Sequence, residues 1–194
     1  MKTLAVESKP IPITPTTKKD LIAFLKKYQI SWKHWNLKTI NDLWQEVSDG
    51  TFTLAVQNDR LIKTKDLVVV DVWYSLPTNR VRLIEDTRLF AGGGLFHLDT
   101  AGIRYKKKAG ETLLETAIRG TCHDLQIKDS KGLTIKQISD RPRREDHPSQ
   151  YFGGIISRTN KYFFLCDLPP QYYTIDGYQS VEENRMVRYS WRIG

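Results

Sequence analysis

His97 and Asp99 stand two residues apart and alternate with Phe96 and Leu98. Residues i and i+2 of a strand share a face, so this pair could act as acid and base or orient a polar substrate. The same alternation also suits the solvent face of an antiparallel strand. Asp71 interrupts the apolar run Leu67–Tyr74 (LVVVDVWY). A carboxylate there must find a partner or face a pocket, which makes it a ligand-binding candidate. Arg104, His123 and Asp124 are further candidates for touching a ligand. Cys122 and His123 are adjacent, and neighbouring helix positions diverge by ~100°, so they do not form a Cys/His nucleophile pair. Two cysteines, Cys122 and Cys166, cannot alone build a disulfide framework or a zinc site.

The chain has 194 residues and a formal charge of +8, with 40% hydrophobic residues. A pI near 9.4 invites a nucleic-acid reading. The basic residues, however, come in small groups such as Lys106-Lys107-Lys108, or beside carboxylates as in Arg143-Arg144-Glu145-Asp146. No nucleic-acid-binding signature accompanies them. A solvated basic surface or an anionic small ligand is the expected meaning. No run reaches the ~18 apolar residues of a spanning helix, and the N-terminus lacks the apolar core of a secretory signal. A cytoplasmic protein without membrane association is expected.

The elements that must carry these residues follow from periodicity. Residues 1–17, with three prolines, suit an extended leader. Thr17 can cap a helix whose stripe is Leu21, Ile22, Leu25 and Tyr28. A second helix spans Thr39 to Val47, with Ile40, Leu43, Trp44 and Val47 on one side and Gly50 as its stop. Trp32 and Trp35 between them could stack on a base or pack on a neighbouring core. Strands are expected at Thr51–Val56, Leu61–Lys63, Leu67–Tyr74, Val81–Ile84, Arg88–Phe90 and Leu95–Leu98. The glycines 92–94 fit a hairpin turn, since no Gly-Lys-Ser/Thr follows to make a phosphate loop. Gly110–Gln126 reads as a helix burying Leu113, Leu114, Ala117, Ile118 and Leu125. Strands return at Leu133–Ile138, Tyr151–Ile156, Tyr162–Cys166 and Val187–Trp191, with a short helix starting near Val181. This order is α+β with mixed or antiparallel sheet: an extension over 18–64 followed by one domain over 65–194.

Residues 105–127, YKKKAGETLLETAIRGTCHDLQI, resemble the box of the Nudix superfamily, G-x5-E-x7-R-E-U-x-E-E-x-G-U. Ala109-Gly110-Glu111-Thr112 resembles the turn that enters the helix, and Ala117-Ile118-Arg119 its middle. The resemblance extends to the glycine-rich turn at 100–103 and to the later aromatic strands, and covers roughly 65–193 at the usual size of a domain. It implies a Nudix-like α/β/α sandwich, to which the two first helices are an N-terminal appendage. It also implies an ion pair between Glu111 and Arg119 that ties the loop to the helix. Glu182 and Glu183 fall where several relatives place a late catalytic base.

The family's three helical glutamates hold divalent cations that bridge a diphosphate. Here they correspond to Gly120, His123 and Asp124. Glycine supplies no ligand and histidine prefers softer metals. Asp124 alone remains as a weak metal ligand, while Tyr105 replaces the first glycine of the box and Gln126 the last. The resemblance therefore implies a protein that binds a small molecule, phosphorylated or not, or a partner, without Mg²⁺-dependent pyrophosphohydrolysis. No cofactor is expected. The alternative is a divergent enzyme: a diphosphate hydrolase using Mg²⁺ or Mn²⁺ with relocated ligands, or a metal-free acid–base catalyst using His97, Asp99 or His123. A homodimer is compatible with either.

Overall fold

The computed structural model describes residues 8–35, 38–182 and 185–194. The chain is α+β and divides into two units, which are described in turn. The first comprises residues 1–66, 108–110 and 143–160, the second 67–107, 111–142 and 161–194.

In the first unit, β1 (Ile11–Ile13) pairs antiparallel with β2 (Thr53–Gln57), and β2 with the start of β3 (Arg60–Ser75). The sequence reading ended its second strand at Lys63 and began a third at Leu67. The backbone instead runs through as one strand, because Thr64, Lys65 and Asp66 include no glycine or proline to break it, and the ladder to Thr53 at Thr64 is followed at Leu67 by that to Lys106. Helices α1 (Lys18–Lys27) and α2 (Ile40–Ser48) each begin in a capping box. Thr17 and Thr39 accept from the third helical amide, and Asp20 and Asp42 accept from the cap amides, so two free donors per helix are satisfied. Leu21, Leu25 and Leu43 are fully buried with Leu54, Leu61, Phe152 and Ile155. Trp35 meets the Phe152 ring edge-on at 4.9 Å and donates from Nε1 to the Gly153 carbonyl at 3.1 Å. Burial of Phe152 and Ile155 in this core draws residues 143–160 into the unit, although the sequence reading grouped them with 65–194. It also turns Tyr151–Ile155, expected as a strand, into bends and turns that deliver the two side chains. β8 (Arg143–Pro148) pairs with β9 (Ile156–Asp167).

The second unit contains the rest of β3. Leu67–Val70 pair antiparallel with β6 (Ile103–Lys106), and Trp73–Ser75 with β4 (Arg80–Phe90). β4 also pairs with β5 (Leu95–Ala101) and β11 (Arg185–Ile193), and β11 with β10 (Tyr178–Glu182). β7 (Thr134–Gln137) pairs with the end of β9. Val68, Val70 and Val72 project to one side with Leu83, Ile103, Phe164 and Val187, a core of β-branched and aromatic residues. Val181 lies in β10, not in a helix, because its pairing with Met186 across a hairpin satisfies the backbone; Glu183 and Asn184 lie outside the described residues.

Helix α3 (Leu113–Asp124) starts in a third capping box, Thr112 with Glu115, and lies against β6, β7 and β10. Its buried side matches the expected stripe in part: Ala117 and Leu125 lie in the core and Leu113 packs against it. Leu114 is exposed, and Thr116, Ala117, Gly120, Thr121 and Asp124 face inward. Small and polar residues allow close approach to the sheet, and one of them is a carboxylate.

Candidate functional site

Asp124, at the last turn of α3, is buried and ringed by hydroxyls. Tyr105 of β6 donates to Oδ1 at 2.6 Å, Ser180 of β10 to Oδ1 at 2.8 Å, and Tyr189 of β11 to Oδ2 at 2.5 Å. Ser180 and Tyr189 are themselves buried. A carboxylate out of water needs such donors. Burial and the negative charges of Asp124 and Glu85 push the Tyr189 phenol far above its ordinary value, so Tyr189 stays protonated and donates.

His123 Nδ1 lies 2.6 Å from the Tyr105 hydroxyl and 3.0 Å from Asp124 Oδ1. With the Tyr105 proton directed to the carboxylate, both oxygens face Nδ1 as acceptors, and neutral His123 then carries its proton on Nδ1 and presents Nε2 bare; the side chain is 48% exposed. A carboxylate that fixes the tautomer of a half-exposed imidazole is an arrangement suited to proton transfer.

The ring of Tyr105 occupies the place above Gly120: a Cβ added there would stand 2.5 Å from Tyr105 Cδ2. Arg119 approaches the same ring, with Cζ 5.2 Å from its centroid. Arg119 also donates to Glu111 through Nε at 2.6 Å and Nη2 at 2.9 Å, and to the Lys106 carbonyl at 3.1 Å. Thr116 adds a hydrogen bond to Glu111 at 2.9 Å. The loop entering α3, its middle turn and β6 are thus tied through two charged side chains.

The donor set does not fit a hard divalent cation. At the three positions of the resemblance one finds no side chain, an imidazole, and a carboxylate engaged by three hydroxyls, whereas Mg²⁺ takes several oxygen ligands in strict octahedral geometry. Among the described residues no group of three His, Cys, Asp or Glu is placed to hold a metal ion. The backbone of Glu182 pairs with Arg185 in the hairpin, and Glu183 lies outside the described residues. At the end of α3, Gln126 takes the left-handed conformation (φ 54°) that the motif's glycine suits, and its side chain holds the Gln179 carbonyl at 2.6 Å.

The other candidates lie elsewhere in this unit. Asp71 accepts from Arg82 Nε at 2.6 Å and Nη2 at 2.8 Å, a bidentate pair that supplies the partner its strand position demands. Arg104 donates to the Ala101 carbonyl at 3.1 Å and reaches Glu85 at 3.5 Å. His97 and Asp99 line an open cavity of about 430 Å³ with Leu98, Asp86 and Arg192. A register shift between Glu85 and Thr87 breaks the alternation there, which is why Leu98 shares the cavity with its two neighbours. No hydrogen bond among the described residues joins His97 or Asp99 to the Asp124 cluster.

Sequence reading missed Ser180, Tyr189 and Glu85, which is 2% exposed between Arg88 and Arg104 and opposite Tyr189 in register. One available signal pointed to Tyr105. A large ring stands where the motif that residues 105–127 resemble has its first glycine, and a glycine stands where it has a large helical residue.

No family model matches this chain, and no curated protein matches it significantly in sequence. Two crystal structures of the C. elegans Ap4A hydrolase, one of them a binary complex, are similar to it at 15% identity. They align over 67% and 66% of this chain and 80% of their own, with TM-scores of 0.38 and 0.39. A protein from Listeria monocytogenes assigned provisionally as a Nudix hydrolase is similar at 12% identity, over 66% of this chain and 75% of its own, with a TM-score of 0.37. No helix among the described residues is long and apolar enough to cross a membrane.

Proposed function

We propose that this protein is a Nudix-like α/β/α sandwich with an N-terminal helical appendage. In this reading it binds a small molecule, phosphorylated or not, or a partner, and does not carry out Mg²⁺-dependent pyrophosphohydrolysis. One observation carries the reading: the carboxylate left in the box is buried under three hydroxyls, and the ring of one of them fills the space of a missing ligand. Neither Mg²⁺ nor Mn²⁺ is then required. The test is hydrolysis of a panel of nucleoside diphosphate derivatives with and without Mg²⁺. No metal-dependent turnover is expected; brisk turnover that disappears in Asp124→Ala would overturn the proposal.

A second reading is favoured by the His123 tautomer. With Nε2 bare and Nδ1 held by Asp124 and Tyr105, metal-free acid–base chemistry has a base with an orienting group. Nitrogen-15 NMR of the histidines checks it, and a protonated Nε2 in neutral His123 removes the base.

A further inference from the structure

We propose that the first unit contains a second, separate site, a basic cavity for a phosphate-bearing small molecule. Three strands build it by simple alternation. Arg60 and Ile62 of β3, Arg144 and Asp146 of β8, and Ile156 and Arg158 of β9 are each i, i+2 pairs that line one cavity of about 550 Å³. Asn58 and Asp59, both at positive φ (50° and 57°), make the tight turn that returns the chain so that Arg60 stands in register with Gln57.

Among the described residues the lining of this cavity is rich in arginine. Asp146 is shared by two guanidinium groups: Arg158 donates through Nε at 2.9 Å and Nη2 at 2.8 Å, and Arg144 through Nη2 at 2.8 Å. Hydrogen bonds from Arg158 and then Arg144 hold the Asp146 carboxyl far below the usual carboxylate range. Arg60 makes no ion pair among the described residues. Among the described lining residues three guanidiniums stand beside one carboxylate, and the other titratable group is His147.

Arg158 is the buried member of the three. It is 6% exposed and fixed by Gln57 Oε1 at 2.8 Å, and no hydrogen bond among the described residues uses its Nη1. With Nη1 still available beside its pair to Asp146, Arg158 joins Arg60 and Arg144 in offering donors to the cavity, and a guanidinium fork matches the oxygens of a phosphate. The volume lies within the range of ordinary small-molecule pockets, roughly 300–1,000 Å³. A phosphate ester or inorganic pyrophosphate has the required charge and size.

Titration calorimetry of the full chain with pyrophosphate and with AMP, at low and physiological salt, tests the site. One-site binding that weakens with salt is expected, and the tighter probe tells an inorganic phosphate from an ester. Arg60→Ala and Arg144→Ala should each weaken binding about tenfold, and Arg158→Lys should weaken it while keeping the charge, because the fork is lost. Asp124→Asn, in the other unit, should leave the affinity unchanged, so that this site and the proposed role of the Asp124 cluster fail independently. Absence of binding at millimolar probe, or affinity unchanged in an Arg60→Ala/Arg144→Ala double variant whose circular dichroism is native, would overturn the proposal.

Discussion

Tyr105 lies against the bare backbone of Gly120, its Cδ2 2.5 Å and its Cγ 2.7 Å from the point where a Cβ would stand. A glycine inside a helix costs about 1 kcal/mol relative to alanine. Here it leaves room for a ring whose hydroxyl is fixed by Asp124 and His123. The two places where residues 105–127 differ from the box they resemble are therefore one structural pairing: the strand supplies the large group and the helix the room for it. A substitution at one site is constrained by the other.

Gly120→Ala should destabilise the protein despite alanine's better helix propensity. The ring cannot retreat without losing its hydrogen bonds, and overpacking costs about 1–3 kcal/mol. In a chain of this length that lowers the melting temperature by roughly 3–10 °C. Tyr105→Gly combined with Gly120→Ala should lose less than the two single changes added together, and a thermal-denaturation double-mutant cycle measures that coupling. Strict additivity would show that the two residues do not share space.

Asp124→Ala leaves the hydroxyls of Ser180 and Tyr189 buried without their acceptor and opens space beside them. Each orphaned donor costs about 1–3 kcal/mol. We expect Asp124→Ala to lower stability by about 2–4 kcal/mol in urea unfolding, and Asp124→Asn by less, since the amide keeps an oxygen acceptor. A surface carboxylate would lose under about 0.5 kcal/mol, so the assay separates an internal hub from a solvated helix residue.

The α+β class, three helix starts and the strand at Leu67–Tyr74 could be read because each is written locally, in capping threonines and β-branched runs. The Asp124 cluster could not. Ser180 and Tyr189 come together with Asp124 across more than fifty residues of chain, and nothing in their own neighbourhoods marks them as donors. The inward face of α3 is only partly legible for a related reason: Ala117 and Leu125 fit the apolar stripe, but the polar members do not. Apolar periodicity finds a helix's side toward a greasy core, whereas this side meets a polar ring, so Thr116 and Asp124 are buried while Leu114 stays out. Likewise Phe152 and Ile155 could not reveal from sequence that their partners are Leu21 and Leu43.

The thiols should be inert in the native protein. Burial pushes Cys166 up to about 12, and the charges of Asp167 and Cys122 add to it; burial and then Asp129 also raise Cys122. A thiolate is the reacting form, so alkylation at pH 8 should be slow without denaturant and rapid in guanidinium. Rapid native labelling of Cys166 would contradict its place in the core beside Phe164 and Val187.

Acid should act on the first unit through Asp146 and Glu46. Arg158 and Arg144 lower the Asp146 pKa. For Glu46, burial raises the pKa, but hydrogen bonds from Lys38 and from Lys63, the latter at 2.9 Å, outweigh it and leave a net lowering. Because both folded values lie below the unfolded ones, the stability they contribute is complete above the ordinary carboxylate range of about 3.9–4.3. It is lost as pH falls through the folded values. The melting temperature of the wild type should therefore be flat from pH 7 to about pH 5 and drop below about pH 4. Asp146→Asn should be less stable than the wild type at neutral pH, by about 1–3 kcal/mol for hydrogen bonds to charged groups. The two curves should converge as the wild-type carboxyl is protonated. Parallel curves down to pH 2 would mean that Asp146 has the same proton affinity folded and unfolded, and that its bonds to Arg158 and Arg144 contribute nothing to folding.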